Sequence, residues 1–264
     1  MILSPPRQTF RQTYATRIAM AVFFLGAALV VWLIQSEAGV ESTWPYLAEG
    51  ALVVLLVVFW IMIGKTQLTI HDEGVRYTNV FGSKELEWHQ VREYRYRVVP
   101  VSGYHGGGLI GVLVIAAMRR AGNRAGTTNL YLTLIGDDGT KIAVTSFLKG
   151  AYDAVGLILG QLHPKMRPRV ESEVRSAGAM FGPLRLNARE MQWKQKEPVA
   201  LTELTKAEIA GQNLQIRRKG KMLSLVSIRS DKVPNVLLLL ETMEMLGVGA
   251  SAVPTVDPLA RVRI

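Results

Sequence analysis

The side chains able to do chemistry are few and scattered: four histidines, two acidic pairs, a glycine run and a strand that alternates arginine with tyrosine. His71, His89, His105 and His163 show neither an i, i+4 pair nor a His-Glu-x-x-His spacing, so no metal site is expected. Asp72-Glu73 and Asp137-Asp138 fall in predicted turns, where carboxylates cap backbone amides rather than carry protons. Gly106-x-Gly108-x-x-Gly111 matches the letters of the dinucleotide fingerprint, but no βαβ pattern surrounds it. The chain has no cysteine, which excludes disulfides, thiolate zinc sites and cysteine nucleophiles. Neither a Gly-x-Ser-x-Gly elbow nor a phosphate-binding loop is present. These residues predict a protein that is not an enzyme and holds no cofactor.

Two stretches remain as candidates for binding. Arg92, Arg95 and Arg97 interleave with Tyr94 and Tyr96 on one predicted strand. They could meet phosphate headgroups or a protein partner, or simply pair with Glu85, Glu87 and Glu93 on an exposed face; a nucleic-acid partner is not expected. The second is an insertion over residues 101–126. Its apolar core carries Leu109, Ile110, Val112, Leu113, Val114 and Ile115, followed by Arg119, Arg120 and Arg124. It is too short to span a bilayer. Three placements stay open: inside the fold, in the headgroup layer with those arginines at the surface, or against another subunit.

The elements that must position these residues begin with two apolar runs, Ile18 to Ile34 and Leu47 to Gly64. The first, free of charge, reaches about 26 Å as a helix, close to the ~30 Å of a hydrocarbon core. Arg7, Arg11 and Arg17 precede it, Glu37 and Glu41 lie between the runs, and Lys65 follows the second. This asymmetry predicts a transmembrane hairpin in the plasma (inner) membrane with both termini cytoplasmic. The net charge of +10 suits a body beside an anionic leaflet.

After Lys65 the sequence changes to short alternating segments and turns. Strands are expected at Gln67 to His71, Val75 to Phe81, along Lys84 to Val99, at Leu130 to Ile135 and at Lys141 to Phe147; a helix follows at Ala151 to Leu162. The second half repeats this order, with Trp193 placed like Tyr77 and Leu201 to Leu204 placed like Trp88 to Val91. The predicted organisation is a cytoplasmic segment 1–17, a hairpin 18–64, a first module 65–162, a basic linker 163–179, a second module 180–247 and a flexible tail 248–264.

Several strands closed by one C-terminal helix, with a Trp88-x-x-Val91 step and a turn at Gly74, resemble the pleckstrin-homology-like (PH-like) module of bacterial membrane proteins. The resemblance covers Thr66 to Leu162 and, more loosely, Met180 to Leu246, where Leu201 stands in place of the tryptophan. It implies an α+β fold of two small antiparallel β-barrel or sandwich modules, each closed by a helix. It also implies a membrane-tethered binding or scaffold protein. The partners implied are the bilayer, anionic phospholipid, and a protein or a second copy of the chain. An accessory subunit of a transporter or channel is the alternative, and a lipid- or envelope-modifying enzyme the weakest reading.

Overall fold

A computed structural model describes residues 5–12, 14–38, 44–100 and 128–251. Alternation builds the first sheet. Strands β1 (Gln8–Arg11), β2 (Gln67–Ile70), β3 (Gly74–Asn79) and β4 (Gly82–Glu87) pair in that order, all antiparallel. Phe10, Leu68, Val75 and Leu86 turn inward and are buried, while the residues between them face out, as a period of two requires.

The continuous strand expected over Lys84 to Val99 is interrupted. Trp88–Gln90 is a 3-10 turn that separates β4 from β5 (Val91–Pro100). The Trp88 side chain is buried, and its indole N–H donates to the Asp72 carbonyl at 3.0 Å. This turn hands the chain to a second sheet, β5, β6 (Thr128–Gly136) and β7 (Lys141–Thr145). The result is a sandwich of four and three strands. The barrel alternative is set aside, because among the described strands β4 and β5 do not pair. One corner is stitched by an isolated bridge between Gln12 and Leu148.

The first strand was not foreseen. β1 precedes the two apolar runs, yet pairs in register with β2, which follows them: Thr9 with Thr69 and Arg11 with Gln67. The first sheet therefore takes its edge strand from residues that precede the hairpin. The runs form α1 (Tyr14–Ala38) and α2 (Trp44–Lys65), inserted between its first two strands. Phe24 of α1 meets Phe59 of α2 at 5.7 Å between ring centroids. Many other large side chains of the pair stay exposed, with Leu25 and Val54 each 62% accessible. Among the described residues no helix is long and apolar enough to cross a membrane. Several side chains of both helices, those of Glu49 and Ile63 among them, lie outside the described set.

Helix α3 (Ala151–Arg175) begins with the predicted apolar face, Ala154, Val155, Ile158, Leu159 and Leu162, all fully buried. It does not stop there. The expected linker is the second half of the same helix, continuing through Pro164 and Pro168. Each proline removes a backbone donor and costs about 3 kcal/mol in a helix interior. Burial of Met166, Val170 and Val174 on the same face offsets that cost.

The second half repeats the element order. β8 (Ala179–Phe181), β9 (Leu184–Leu186), β10 (Glu190–Trp193) and β11 (Val199–Ala200) form one sheet. A 3-10 turn at Leu201–Glu203 leads to β12 (Leu204–Ala210), β13 (Asn213–Arg218) and β14 (Ser224–Arg229), and then to α4 (Val236–Met245). Trp193 pairs with Leu184 as Tyr77 pairs with Leu68. The start of the expected flexible tail is ordered: β15 (Gly249–Ser251) returns along β12 in parallel, and Val248 is buried. One hydrophobic cluster runs through both modules.

The turn at Gly74 tests this packing. A Cβ there would lie 2.5 Å from the Leu86 carbonyl oxygen and 2.8 Å from the Glu87 Cα. Both are backbone atoms of the paired strand, so neither can rotate away. Gly74→Ala is expected to lower the stability of the first sheet by about 2–3 kcal/mol, read as a lower urea midpoint.

Candidate functional site

Two polar regions stand out: a groove where the helical hairpin joins the first sheet, and a junction between the modules. The groove follows from strand register. Thr9, Thr69 and Arg76 form one cross-strand row on the outward face, and Arg11, Gln67 and Thr78 form the next. Together with Pro6 and His71 they line a shallow depression of about 520 Å³. Arg11 lies three residues before α1, and Gln67 two residues after α2. Arg76 donates through Nε to Glu85 at 2.7 Å. Arg11 is exposed and makes no ion pair among the described residues. Arg11 and Arg76 give the depression a basic lining, and no carboxylate lines it among the described residues.

The junction centres on Tyr94 of β5, which is fully buried. Its hydroxyl lies 2.8 Å from His163 Nε2 and accepts the Leu238 N–H at 3.0 Å. Its backbone N–H donates to Asn235 Oδ1 at 2.9 Å, and its carbonyl accepts the Asn235 N–H at 2.9 Å. Asn235 adopts a left-handed conformation, φ 54°, at the start of α4. This residue type tolerates that region better than most. His163 Nδ1 faces Glu241 at 3.3 Å, and Arg167 reaches the same carboxylate at 3.1 Å. Burial raises the Tyr94 hydroxyl well above the ordinary phenol value, which keeps it neutral. Burial also pushes the Glu241 carboxyl up, but hydrogen bonding and charge from His163 and Arg167 outweigh it and hold it below the usual value.

The predicted contact strand is mostly consumed here. Arg95 donates to the Asp231 carbonyl at 3.2 Å and pairs with Glu93 at 3.0 Å. Arg97 donates to Gln212 at 2.7 Å and lies 4.0 Å from Asp231. Both guanidiniums thus contact residues of the second half of the chain. Arg92 alone of the three is exposed. Glu85 and Glu87 are taken by Arg76 and His89 instead. The candidates Arg119, Arg120 and Arg124, and the apolar set Leu109, Ile110, Val112, Leu113, Val114 and Ile115, lie outside the described residues. Asp138 is a turn cap: it accepts from the Thr140 amide at 2.8 Å and hydroxyl at 2.7 Å, which lowers its carboxyl value. Among the described residues no three His, Cys, Asp or Glu side chains gather as a metal site.

The groove was missed because its residues are separated by the whole hairpin. The signal lay in the polar phase of Thr9-Phe10-Arg11 and Gln67-Leu68-Thr69, which only pairing turns into one surface.

A sandwich of four and three antiparallel strands, cornered by a buried tryptophan and closed by a helix, defines a PH-like module. Residues 65–150 match the family described as Bacterial PH domain, a segment that begins after the hairpin and so omits β1. No curated protein matches the chain.

The junction predicts two outcomes. Tyr94→Phe removes the oxygen that serves His163 and the Leu238 amide, at a cost of about 1–3 kcal/mol, visible as a lower urea midpoint. Because the folded Glu241 value is depressed, its stabilising effect is present at neutral pH and lost as pH falls through that lowered value. Glu241→Gln should therefore be less stable than the parent at pH 7 and show a flatter loss of stability on the acid side in a pH series of thermal melts.

Proposed function

We propose that the protein is a non-enzymatic, membrane-tethered binding platform. In this reading α1 and α2 cross the plasma membrane as a hairpin. Two PH-like modules lie on the cytoplasmic face and bind a protein partner or a second copy of the chain, aided by anionic headgroups. The carrying observation is the insertion of the hairpin between β1 and β2. A hairpin spliced into a sheet holds that sheet at the point where the helices end.

The exposed side chains support the bilayer as the medium around the hairpin. Val22, Leu29 and Ile34 on α1, with Val53, Val57 and Ile61 on α2, would each leave unfavourable apolar area in water. Full burial of one such side chain is worth about 1.5–3 kcal/mol. Arg7 and Arg11 before the hairpin and Lys65 after it support the cytoplasmic placement of the body. The repeated element order, including the paired 3-10 turns, supports reading the second half as another PH-like copy. Confinement near a surface lets weak partner contacts act at high effective concentration.

The same exposed helix faces would also suit packing against a larger membrane protein, the accessory-subunit alternative. Crosslinking with mass spectrometry separates the two: links between copies favour self-assembly, and a stoichiometric integral-membrane partner favours the alternative.

Topology is directly testable, since a chain without cysteine gives no labelling background. Val40→Cys should react with an impermeant maleimide added outside intact cells, whereas Lys219→Cys should react only after lysis. Recovery of the chain in the carbonate-washed soluble fraction, or labelling of Lys219→Cys in intact cells, would sink the tethering reading.

A further inference from the structure

The geometry points to the groove on β1, β2 and β3 as a binding site for a phosphate ester. This deepens the tethering reading, on which it rests only for the expected source of the ligand.

Arg11 and Arg76 stand on the two strands that flank β2, in adjacent outward rows. Strand spacing and rise place them about 10 Å apart across the sheet and about 7 Å apart along it. Two guanidiniums so placed can reach one anion from opposite sides, over Thr69. Glu85 takes Nε and one terminal nitrogen of Arg76. The remaining terminal nitrogen carries no bond among the described residues, and its two N–H groups stay available. Glu85 also cancels the Arg76 charge, leaving the single positive charge of Arg11 as the net guanidinium contribution. A net positive charge suits an anionic phosphate ester.

The neutral donors fit the same ligand. The hydroxyls of Thr9, Thr69 and Thr78 are spread over three strands. Donors arriving from three strands suit a tetrahedral oxyanion, whose acceptor oxygens point in several directions. A planar carboxylate would be served by one arginine fork. A divalent cation is disfavoured, because no carboxylate lines the groove among the described residues. The position selects the source. Arg11 and Gln67 border the two ends of the hairpin, so the groove opens at the depth where headgroups would lie if the hairpin is in the bilayer.

The test uses the full-length chain in a phosphate-free maltoside detergent, with bound lipid read by native mass spectrometry. The probes are dioleoyl phosphatidylglycerol, dioleoylglycerol (which lacks the phosphate) and soluble sn-glycerol 3-phosphate. Phosphatidylglycerol should be retained and dioleoylglycerol lost. Arg11→Ala combined with Thr69→Val should reduce the retained phosphatidylglycerol at least about tenfold, with Arg11→Lys restoring part of it. Arg11→Ala alone, at an exposed position, should also lose phosphatidylglycerol while its thermal melt stays unchanged, which separates lost binding from lost folding. Glycerol 3-phosphate bound by the parent and lost in the variant supports a general phosphate-ester site, and retention of the lipid alone supports a headgroup site. Equal retention of dioleoylglycerol, or unchanged phosphatidylglycerol in both Arg11 variants, overturns the assignment. The soluble arm needs no bilayer, so it still decides the groove if cysteine labelling refutes the tether. Correct labelling with no phosphate bound refutes the groove alone.

Discussion

Everything downstream depends on one antiparallel pairing, that of β1 with β2 across the entire helical hairpin. Four residue pairs join Gln8–Arg11 to Gln67–Ile70, so the chain that enters α1 and the chain that leaves α2 are held one strand spacing apart. The loop so closed is long, but loop-closure entropy grows only slowly with length. The gain is local and large: Phe10 and Leu68 share the core, and the outer residues become a continuous polar surface. Orientation of the hairpin relative to the sandwich is then set by a sheet rather than by a linker. Bacterial PH-like sequence accounts for residues 65–150, but the strand that secures the hairpin comes from outside that segment.

The second constraint is helix α3. Its first half closes one module, and its second half carries Met166, Val170 and Val174 into the same hydrophobic cluster that holds the other. The two halves of the body are therefore packed on one hydrophobic cluster. A buried polar knot reinforces this: Tyr94 from β5, His163 from α3 and Glu241 from α4 meet within hydrogen-bond or ion-pair reach. Such a network specifies one relative arrangement, because any other would bury unpaired polar groups. It also explains why arginines that read as surface contacts are engaged within the molecule. Arg95 and Arg97 face the module that the chain adds more than a hundred residues later.

The legible parts of the sequence were those with strong local periodicity. The alternation over Gln67 to His71, the Gly136 to Gly139 turn and the apolar face of Ala151 to Leu162 all correspond to elements. So does the correspondence of Leu201 with Trp88, since each opens a 3-10 turn between two sheets. Elements whose stability comes from distant contacts were not legible. β1 is a four-residue strand with one buried side chain and has little local signal. The helical continuation past His163 runs against two prolines, and only the buried face across the second module overcomes them. β15 looks like the start of a tail until β12 supplies its partner.

By itself, the sequence determined the apolar hairpin, the charge asymmetry around it, the strand-rich body and its internal repeat. All of these are carried by neighbouring residues through hydropathy and periods of two or near four. Tertiary structure alone decided that the hairpin is spliced into a sheet and that the two halves of the body share one helix and one core. It also decided that Thr9, Arg11, Thr69 and Arg76 form a single surface. The reason is separation along the chain: residues more than fifty positions apart leave no mutual pattern in the sequence, and only pairing brings them together.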